Sequence, residues 1–121
     1  MGMGSFKCFE DLQVWQKSPE VTRDVYSITA QAAFSRDHGL REQIRRASVS
    51  IMANIAEGFG RHSDREFANF LNIAHGSVAE VQSHLYVALD LGYLAQNEFS
   101  KLHESLNEIS KMSYSLARRL R

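Results

Sequence analysis

The residues with the most potential for chemistry are histidines that stand four positions from a glutamate. Glu80 and His84 form one such pair and His62 and Glu66 another, so each pair would share one face of a helix. Such a pair supplies two metal ligands, although most pairs at this spacing are surface or packing interactions. Two ligands do not complete a site, and the Glu-x-x-His motif of di-metal bundles is absent. We therefore predict no metal and no cofactor.

Nucleophilic chemistry is equally weakly indicated. Cys8 is the single cysteine, and nothing near it in the sequence suggests the base and oxyanion hole that a catalytic thiol needs. Asn54 and Glu57 are polar enough for a catalytic cleft, but their helix-face spacing favours a structural role. We predict no catalytic residues and a protein that is not an enzyme. A single cysteine also excludes an intrachain disulfide, which fits a cytoplasmic location.

Arginine placement is the best indication of function. The chain of 121 residues has 14 Lys plus Arg and 14 Asp plus Glu, so binding of nucleic acid would depend on local patches. Arginines that end a helix also complement its dipole, and the interleaved acidic residues favour ordinary solvated surface. A symmetric ring would repeat each patch around one axis and strengthen phosphate binding. The candidate contacts are Arg36, Arg41, Arg61, Arg65, Arg118, Arg119 and Arg121.

Four segments must position these residues, because each has apolar residues at the three-to-four spacing of a helix that is buried on one side. They cover about residues 11–33, 39–59, 63–91 and 96–120, with a linker at residues 34–38. No alternating apolar pattern indicates a strand. Short connections between long helices favour antiparallel neighbours. The sequence thus predicts an all-α, antiparallel up-down-up-down four-helix bundle over residues 6–121, after a leader at residues 1–5 that is disordered or left by cloning.

Residues with special backbone preferences predict where these helices are disturbed or end. Pro19 could be the first residue of a helix that Ser18 caps, or a kink inside a longer helix. We favour a first helix that begins near Asp11 and is disturbed at Pro19, because proline lacks the backbone N–H of a helix interior. Gly58 and Gly60 should end the second helix in the left-handed conformation that glycine adopts without strain. A capping box over residues 63–66 should open the third helix, and Gly92 should close it.

The second helix carries a row of mostly polar residues beside its apolar stripe. The row repeats at spacings of 4, 3, 4, 3 and 4 and consists of Gln43, Ala47, Ser50, Asn54, Glu57 and Arg61. One interpretation is a solvated face. The other is a polar seam packed against another helix or another subunit, where polar groups set the register. Serine and asparagine are poor residues for an exposed helix face, which favours the packed seam.

The third helix offers a partner for this seam. A tight antiparallel turn near residues 61–63 would place residues side by side when their numbers add up to about 123. Glu80 would then lie near Gln43, and Arg45 or Arg46 would be within reach of a charge-assisted pair, within or between subunits. The predicted seam and interface residues are Gln43, Arg45, Arg46, Ser50, Asn54, Glu57, Ser77 and Glu80.

Three stretches of the sequence resemble one known protein family. The longest covers residues 39–61 and includes the polar seam. It is flanked by residues 9–16, with the sequence FEDLQVWQ, and by matching positions within residues 66–80. Together these motifs resemble the 23S ribosomal-RNA intervening-sequence protein family over almost the whole chain after residue 5. The resemblance implies a bacterial four-helix bundle that assembles as a homopentamer and whose role is largely unassigned.

The resemblance also implies distant kinship with the accessory variability determinant of diversity-generating retroelements, which binds nucleic acid and partners a reverse transcriptase. We therefore predict a homo-oligomeric helical-bundle scaffold or adaptor, with weak and nonspecific binding to RNA or DNA. The alternative is a module that binds an unidentified protein and has no role with nucleic acid. No apolar run approaches the roughly 20 residues that span a bilayer, so we predict no membrane partner.

Overall fold

The apolar stripes form the long helices of a computed structural model that describes residues 6–121. A 3-10 turn at Phe9–Asp11 precedes the first helix. The helices are α1 (Gln13–Thr29), α2 (Ala32–Arg36), α3 (His38–Gly60), α4 (Asp64–Asp90) and α5 (Gln96–Leu120). The predicted all-α fold is confirmed, and α2 is the only short helix among the described residues. The predicted leader at residues 1–5 lies outside those residues.

Contacts between the long helices are those of antiparallel neighbours. The His75 ring and Ser110 Oγ form a hydrogen bond of 2.7 Å between α4 and α5, and Gln82 Nε2 donates to Asn107 Oδ1 at 2.8 Å. A rise in residue number along α4 thus matches a fall along α5. Each long helix packs against two others in the cyclic order α1, α3, α4, α5. The bundle therefore has four sides, each formed by two adjacent helices.

The first segment differs from its prediction. We expected one helix to about residue 33 and a linker at residues 34–38, but α1 ends at Thr29 and α2 contains Phe34. Phe34 is completely buried, with its ring centre 5.3 Å from that of Tyr93. The gain from burying this aromatic side chain explains why the chain forms an extra helical turn there. Pro19 lies inside α1, as one of the two interpretations of this residue allowed.

The glycines of α3 do not end the helix in the predicted way. Gly58 and Gly60 are both part of α3, and His62 instead adopts the left-handed conformation, with φ of 55°. Gly58 is needed for close packing, because a Cβ there would lie 2.5 Å from the Cβ of Phe70. The prediction for Gly92 is confirmed, since its φ is 75° and it directly follows the end of α4.

The predicted capping box at the start of α4 is half formed. Ser63 Oγ accepts a hydrogen bond of 3.3 Å from the backbone N–H of Glu66, which satisfies one free donor of the first turn. The carboxylate of Glu66 lies instead 4.0 Å from Arg61. The sequence signal for the helix start was therefore correct, although the side chain of the third helical residue has another partner.

Asp37 joins the start of α3 to the loop between α4 and α5. Its Oδ1 accepts from the backbone N–H of Leu40 at 3.2 Å, and its Oδ2 accepts from the Tyr93 hydroxyl at 2.9 Å. The hydrogen bond to Asp37, followed by desolvation, raises the pKa of Tyr93 above its ordinary value. The hydroxyl therefore remains a donor at neutral pH and anchors the loop.

The core contains the apolar stripes of all four long helices. Its largest completely enclosed side chains include Phe34, Phe67, Ile51 and Leu71. None of the helices within residues 6–121 combines the length and the hydrophobicity required to cross a membrane.

Candidate functional site

The middle of the polar seam lies between α3 and α4. Ser50 Oγ and Ser77 Oγ share a hydrogen bond of 3.0 Å. Asn54 Nδ2 donates to Ser50 at both its backbone oxygen, at 2.8 Å, and its Oγ, at 2.9 Å. Ala47 is buried in the same row. The packed-seam interpretation is thus correct for these residues, whose polar groups satisfy one another at a helix boundary.

The two ends of the seam are exposed to solvent. Gln43 and Glu57 are both exposed, and the guanidinium of Arg61 binds Glu57 Oε2 at 2.7 Å. The same guanidinium lies 5.0 Å from the ring centre of Phe70 on α4. The solvated interpretation therefore applies at both ends of the seam, which has a packed centre, a neutral end at Gln43 and a charged end at Glu57 and Arg61.

The register of α3 against α4 differs from the prediction. Facing residues have numbers that add up to 127 rather than about 123, as the pair Ser50 and Ser77 shows. The contact between Arg61 and Glu66 follows the same rule. Helical side chains lean towards the N-terminus of their own helix. On antiparallel helices the two leans add, so each facing partner lies about two positions further from the turn. The helix ends at Gly60 and Asp64, whose numbers add up to 124, contribute one position more.

The ion pair predicted for Glu80 does not form within the chain. Glu80 Oε2 lies 3.4 Å from His84 Nε2, and this buried nitrogen makes no hydrogen bond among the described residues. Arg45 extends towards α1 instead, where its Nε donates to Thr29 Oγ1 at 2.8 Å. Arg46 is exposed and forms no ion pair within residues 6–121. The pair between subunits stays a prediction.

The arginines predicted to contact phosphate form two groups. Some already bind another residue of the chain, and the others have no ion pair among the described residues. Arg41 donates to the Ser35 backbone oxygen at 2.9 Å and pairs with Glu42 at 3.2 Å, and Arg61 is held by Glu57. These contacts reduce the availability of both side chains to an outside ligand. The remaining candidates are exposed and have no ion pair among the described residues: Arg36, Arg65, Arg118, Arg119 and Arg121.

Arg65 and Arg121 lie at the same end of the bundle. Together with Asp64, Asn69 and Leu120 they line a surface cavity of about 510 Å³ between α4 and α5. Arg118 lies one turn away, with its guanidinium 5.8 Å from the ring centre of Tyr114. The structure thus brings together cationic residues that the sequence placed on two different helices.

A family model and a solved structure identify the protein's relatives. The model described as 23S rRNA-intervening sequence protein matches residues 10–115. The chain belongs to this family. The resemblance inferred from the motifs in residues 9–16, 39–61 and 66–80 is thereby confirmed. No curated protein matches the chain.

A crystal structure at 1.70 Å shows a similar member of the S23 ribosomal protein family, a protein of unknown function from Bacteroides thetaiotaomicron VPI-5482. The two proteins are 27% identical, and the alignment covers 87% of this chain and 95% of that chain. The TM-score of 0.79 shows that both have the same fold. This chain and the protein from Bacteroides thetaiotaomicron therefore share a helical fold despite a low sequence identity.

The groups considered for catalysis in this 23S rRNA-intervening sequence protein remain separate. No cluster of three His, Cys, Asp or Glu side chains that could hold a metal occurs within residues 6–121. Cys8 is exposed, and desolvation followed by the carboxylate of Asp11 raises the pKa of its thiol. The thiol therefore stays protonated at neutral pH, which makes it a poor nucleophile.

Exposed aromatic side chains are more frequent than the sequence indicated. We expected Phe67, Phe70 and Tyr86 to lie on or beside core stripes, which is correct for the buried Phe67 and the half-buried Phe70. Tyr86 instead is 55% exposed, and Tyr114 and Tyr26 are exposed as well. Tyrosine presents an apolar body and a polar tip, so the stripe pattern alone does not decide its burial.

A row of exposed aliphatic side chains on α4 was missed by the sequence analysis. Ile73, Val87 and Leu91 are 51%, 44% and 54% exposed, and they follow one face of the helix next to the seam. The signal was present in the sequence, because Phe70, Ile73 and Ser77 begin a second series at alternating spacings of three and four that continues to Leu91. Two adjacent apolar series on one helix indicate two packing surfaces rather than one.

Proposed function

We propose that this 23S rRNA-intervening sequence protein is a non-enzymatic, homo-oligomeric helical-bundle scaffold or adaptor in the bacterial cytoplasm. The observation that carries the proposal is the row of exposed aliphatic side chains Ile73, Val87 and Leu91, which follow one face of α4 and its C-terminal cap and are not covered by any of residues 6–121. Isolated exposed aliphatics need no explanation, but an aligned row on one helix is typical of a protein interface. The zero net charge adds no electrostatic barrier to self-association.

The subunit count in this proposal comes from the family resemblance, which implies a homopentamer. Light scattering at micromolar protein concentration is expected to give a mass about five times the 13.7 kDa of the chain. The mass should be independent of salt between low and physiological concentrations if apolar burial dominates the interface. A mass of one chain at this concentration would refute the scaffold.

Weak binding to nucleic acid forms the second part of the proposal. It is supported by the exposed Arg65, Arg118, Arg119 and Arg121, which lie at one end of the bundle where each subunit of an oligomer would repeat them. Arginine recognises phosphate through several N–H donors but reads no base by this contact alone. Binding should therefore be nonspecific and electrostatic. A protein adaptor without a nucleic-acid role is the alternative.

Fluorescence anisotropy with labelled single- and double-stranded RNA and DNA tests this part. We expect the affinity to fall steeply between about 50 and 200 mM salt, because neutralised phosphates release counterions. Replacing Arg118 and Arg121 by glutamate should weaken binding at least about tenfold, because each subunit would lose about two phosphate contacts.

The matched control replaces Arg23 and Lys101 by glutamate, which changes the net charge equally at two exposed positions outside this cluster. If the control weakens binding as much as the Arg118 and Arg121 variant, binding follows the overall charge of the protein and not this cluster. Absence of binding at low salt with tens of micromolar protein would leave the adaptor alternative.

A further inference from the structure

We propose that the subunits associate head to tail, with the α3–α4 side of one copy packed against the α1–α3 side of the next. In this arrangement Glu80 of one copy binds Arg45 of its neighbour. The inference rests on the proposed homo-oligomer and specifies which surfaces form it. Both surfaces carry exposed apolar side chains, and each has a charged group at its centre whose binding capacity is not satisfied within the chain.

The α3–α4 side presents the aliphatic row with a carboxylate in its middle. Ile73, Glu80 and Val87 are spaced by seven residues, so they lie on one line along α4. The side chain of Glu80 is 55% exposed, and its one polar contact among the described residues is with His84 Nε2 at 3.4 Å. A partner that covers Ile73 and Val87 would also cover Glu80, and a covered carboxylate requires a cation.

The α1–α3 side presents a suitable cation on an apolar surface. The guanidinium of Arg45 lies 4.5 Å from the ring centre of Tyr26, which is exposed, and Val49 is exposed on the next turn of α3. Arg45 uses its Nε for Thr29 and has no acceptor for its terminal amino groups among the described residues. The ring and Thr29 hold the guanidinium in place, so its free N–H groups are oriented for a carboxylate.

The two sides are complementary to each other rather than each to itself. A twofold contact of the α3–α4 side with its own copy could pair Glu80 only with Arg46, which is exposed four positions before Ser50 on α3 and forms no ion pair within residues 6–121. Such a contact would leave the terminal amino groups of Arg45 unused. A head-to-tail contact satisfies both groups at every interface, and contacts of this kind generate rings when the rotation closes.

The geometry of the bundle favours closure into a small ring. The α1–α3 and α3–α4 sides are adjacent, and adjacent sides of a four-helix bundle point about 90° apart. The two contact directions of a subunit must differ by about 90° in a ring of four and about 108° in a ring of five. The shared helix α3 would face the ring axis, and α5 with its arginines would face outward.

The size of the surface is also sufficient. The smaller α1–α3 side sets the limit, because α1 has 17 residues and α3 has 23, about 25 and 35 Å at 1.5 Å per residue. Each helix is about 10 Å wide with its side chains, so this side offers about 600 Å². That area is at the lower end of what each partner buries in a specific protein interface.

A charge exchange tests the proposal. Glu80→Arg and Arg45→Glu should each weaken self-association at least about 30-fold, because each places two like charges together in a covered interface. The double variant restores an opposite-charge pair, so it should regain the mass of the wild type in light scattering. Glu104→Arg and Lys111→Glu are the matched controls, since both are exposed on α5, which belongs to neither side.

Covalent crosslinking is a second measurement, which distinguishes loss of the interface from poor folding of a variant. In a Cys8→Ser background, a chain with both Glu80→Cys and Arg45→Cys should form a ladder of covalently linked oligomers with a short bismaleimide crosslinker, which spans more than the roughly 4 Å between Cβ atoms that a disulfide requires. The two positions lie on different sides of α3 within one chain, so an intrachain bond does not compete. Each variant's helix content, measured by circular dichroism, should equal that of the wild type.

The outcomes separate this inference from the function on which it rests. A wild-type oligomer that both single exchanges leave intact, or disruption that the double variant fails to restore, would overturn the Glu80–Arg45 interface but not the scaffold. A covalent product limited to single chains would do the same. A wild type that is a monomer at micromolar concentration would overturn both.

Discussion

Replacing Phe67 by alanine is expected to lower the free energy of unfolding by about 3–5 kcal/mol. The Phe67 side chain is completely buried, and its ring meets that of Phe59 edge to face with 5.9 Å between the ring centres. It also forms part of the wall against Gly58. Alanine would remove the burial of an aromatic ring and leave a cavity that the closely packed surroundings cannot fill.

Urea unfolding monitored by circular dichroism measures this effect, at one protein concentration because self-association is linked to stability. Tyr86→Ala is the matched control, since Tyr86 lies on the same helix but is 55% exposed. We expect the control to lose about 1 kcal/mol at most. Equal losses for the two variants would contradict the assignment of Phe67 to the centre of the core.

Replacing Gly58 by alanine should destabilise the protein by about 1–3 kcal/mol, although the same change normally stabilises a helix. The added Cβ would lie 2.5 Å from the Cβ of Phe70 and 3.1 Å from Cδ1 of Phe67. The Cβ of Phe70 is fixed to its backbone, so α3 and α4 would have to move apart. The resulting loss of packing exceeds the roughly 1 kcal/mol that alanine gains in helix propensity.

Gly76→Ala provides the comparison, because Gly76 is inside α4 and a Cβ there would have no atom of another element within 4 Å. This variant should gain up to about 1 kcal/mol in the free energy of unfolding. The two glycine variants are thus expected to shift the urea midpoint in opposite directions. A stabilised Gly58→Ala variant would show that α3 and α4 are further apart at this point than the structure places them.

Local sequence signals determined most of the helical framework. The apolar stripe from Phe99 to Leu120 predicted α5 almost to the residue. Apolar residues at three-to-four spacing over many turns fit no regular secondary structure other than a helix. Ser63 and Gly92 correctly marked the two ends of α4, since a cap and a left-handed glycine act through their own neighbouring backbone. The family motifs depend on the same local series.

The placement of the candidate site was only partly predictable. The seven-residue repeat through Ser50 indicated a polar seam, and the structure confirms its packed centre. The partner of Arg45 was not predictable, because this side chain can extend to either side of α3 and the position of α1 decides between them. The exposure of Ile73 depends in the same way on which α4 face meets α3.

Tertiary structure alone decided the register and the glycine contact. Ser50 and Ser77 lie opposite each other because helical side chains lean towards the N-terminus of their own helix. A count of residues from the turn does not include this lean. Gly58 has the sequence appearance of a helix end, yet the close approach of Phe70 makes it a packing position inside α3. Sequence periodicity determined which faces of the helices are apolar, while the distances between helices decided what each remaining residue contacts, because such contacts join residues far apart in the chain.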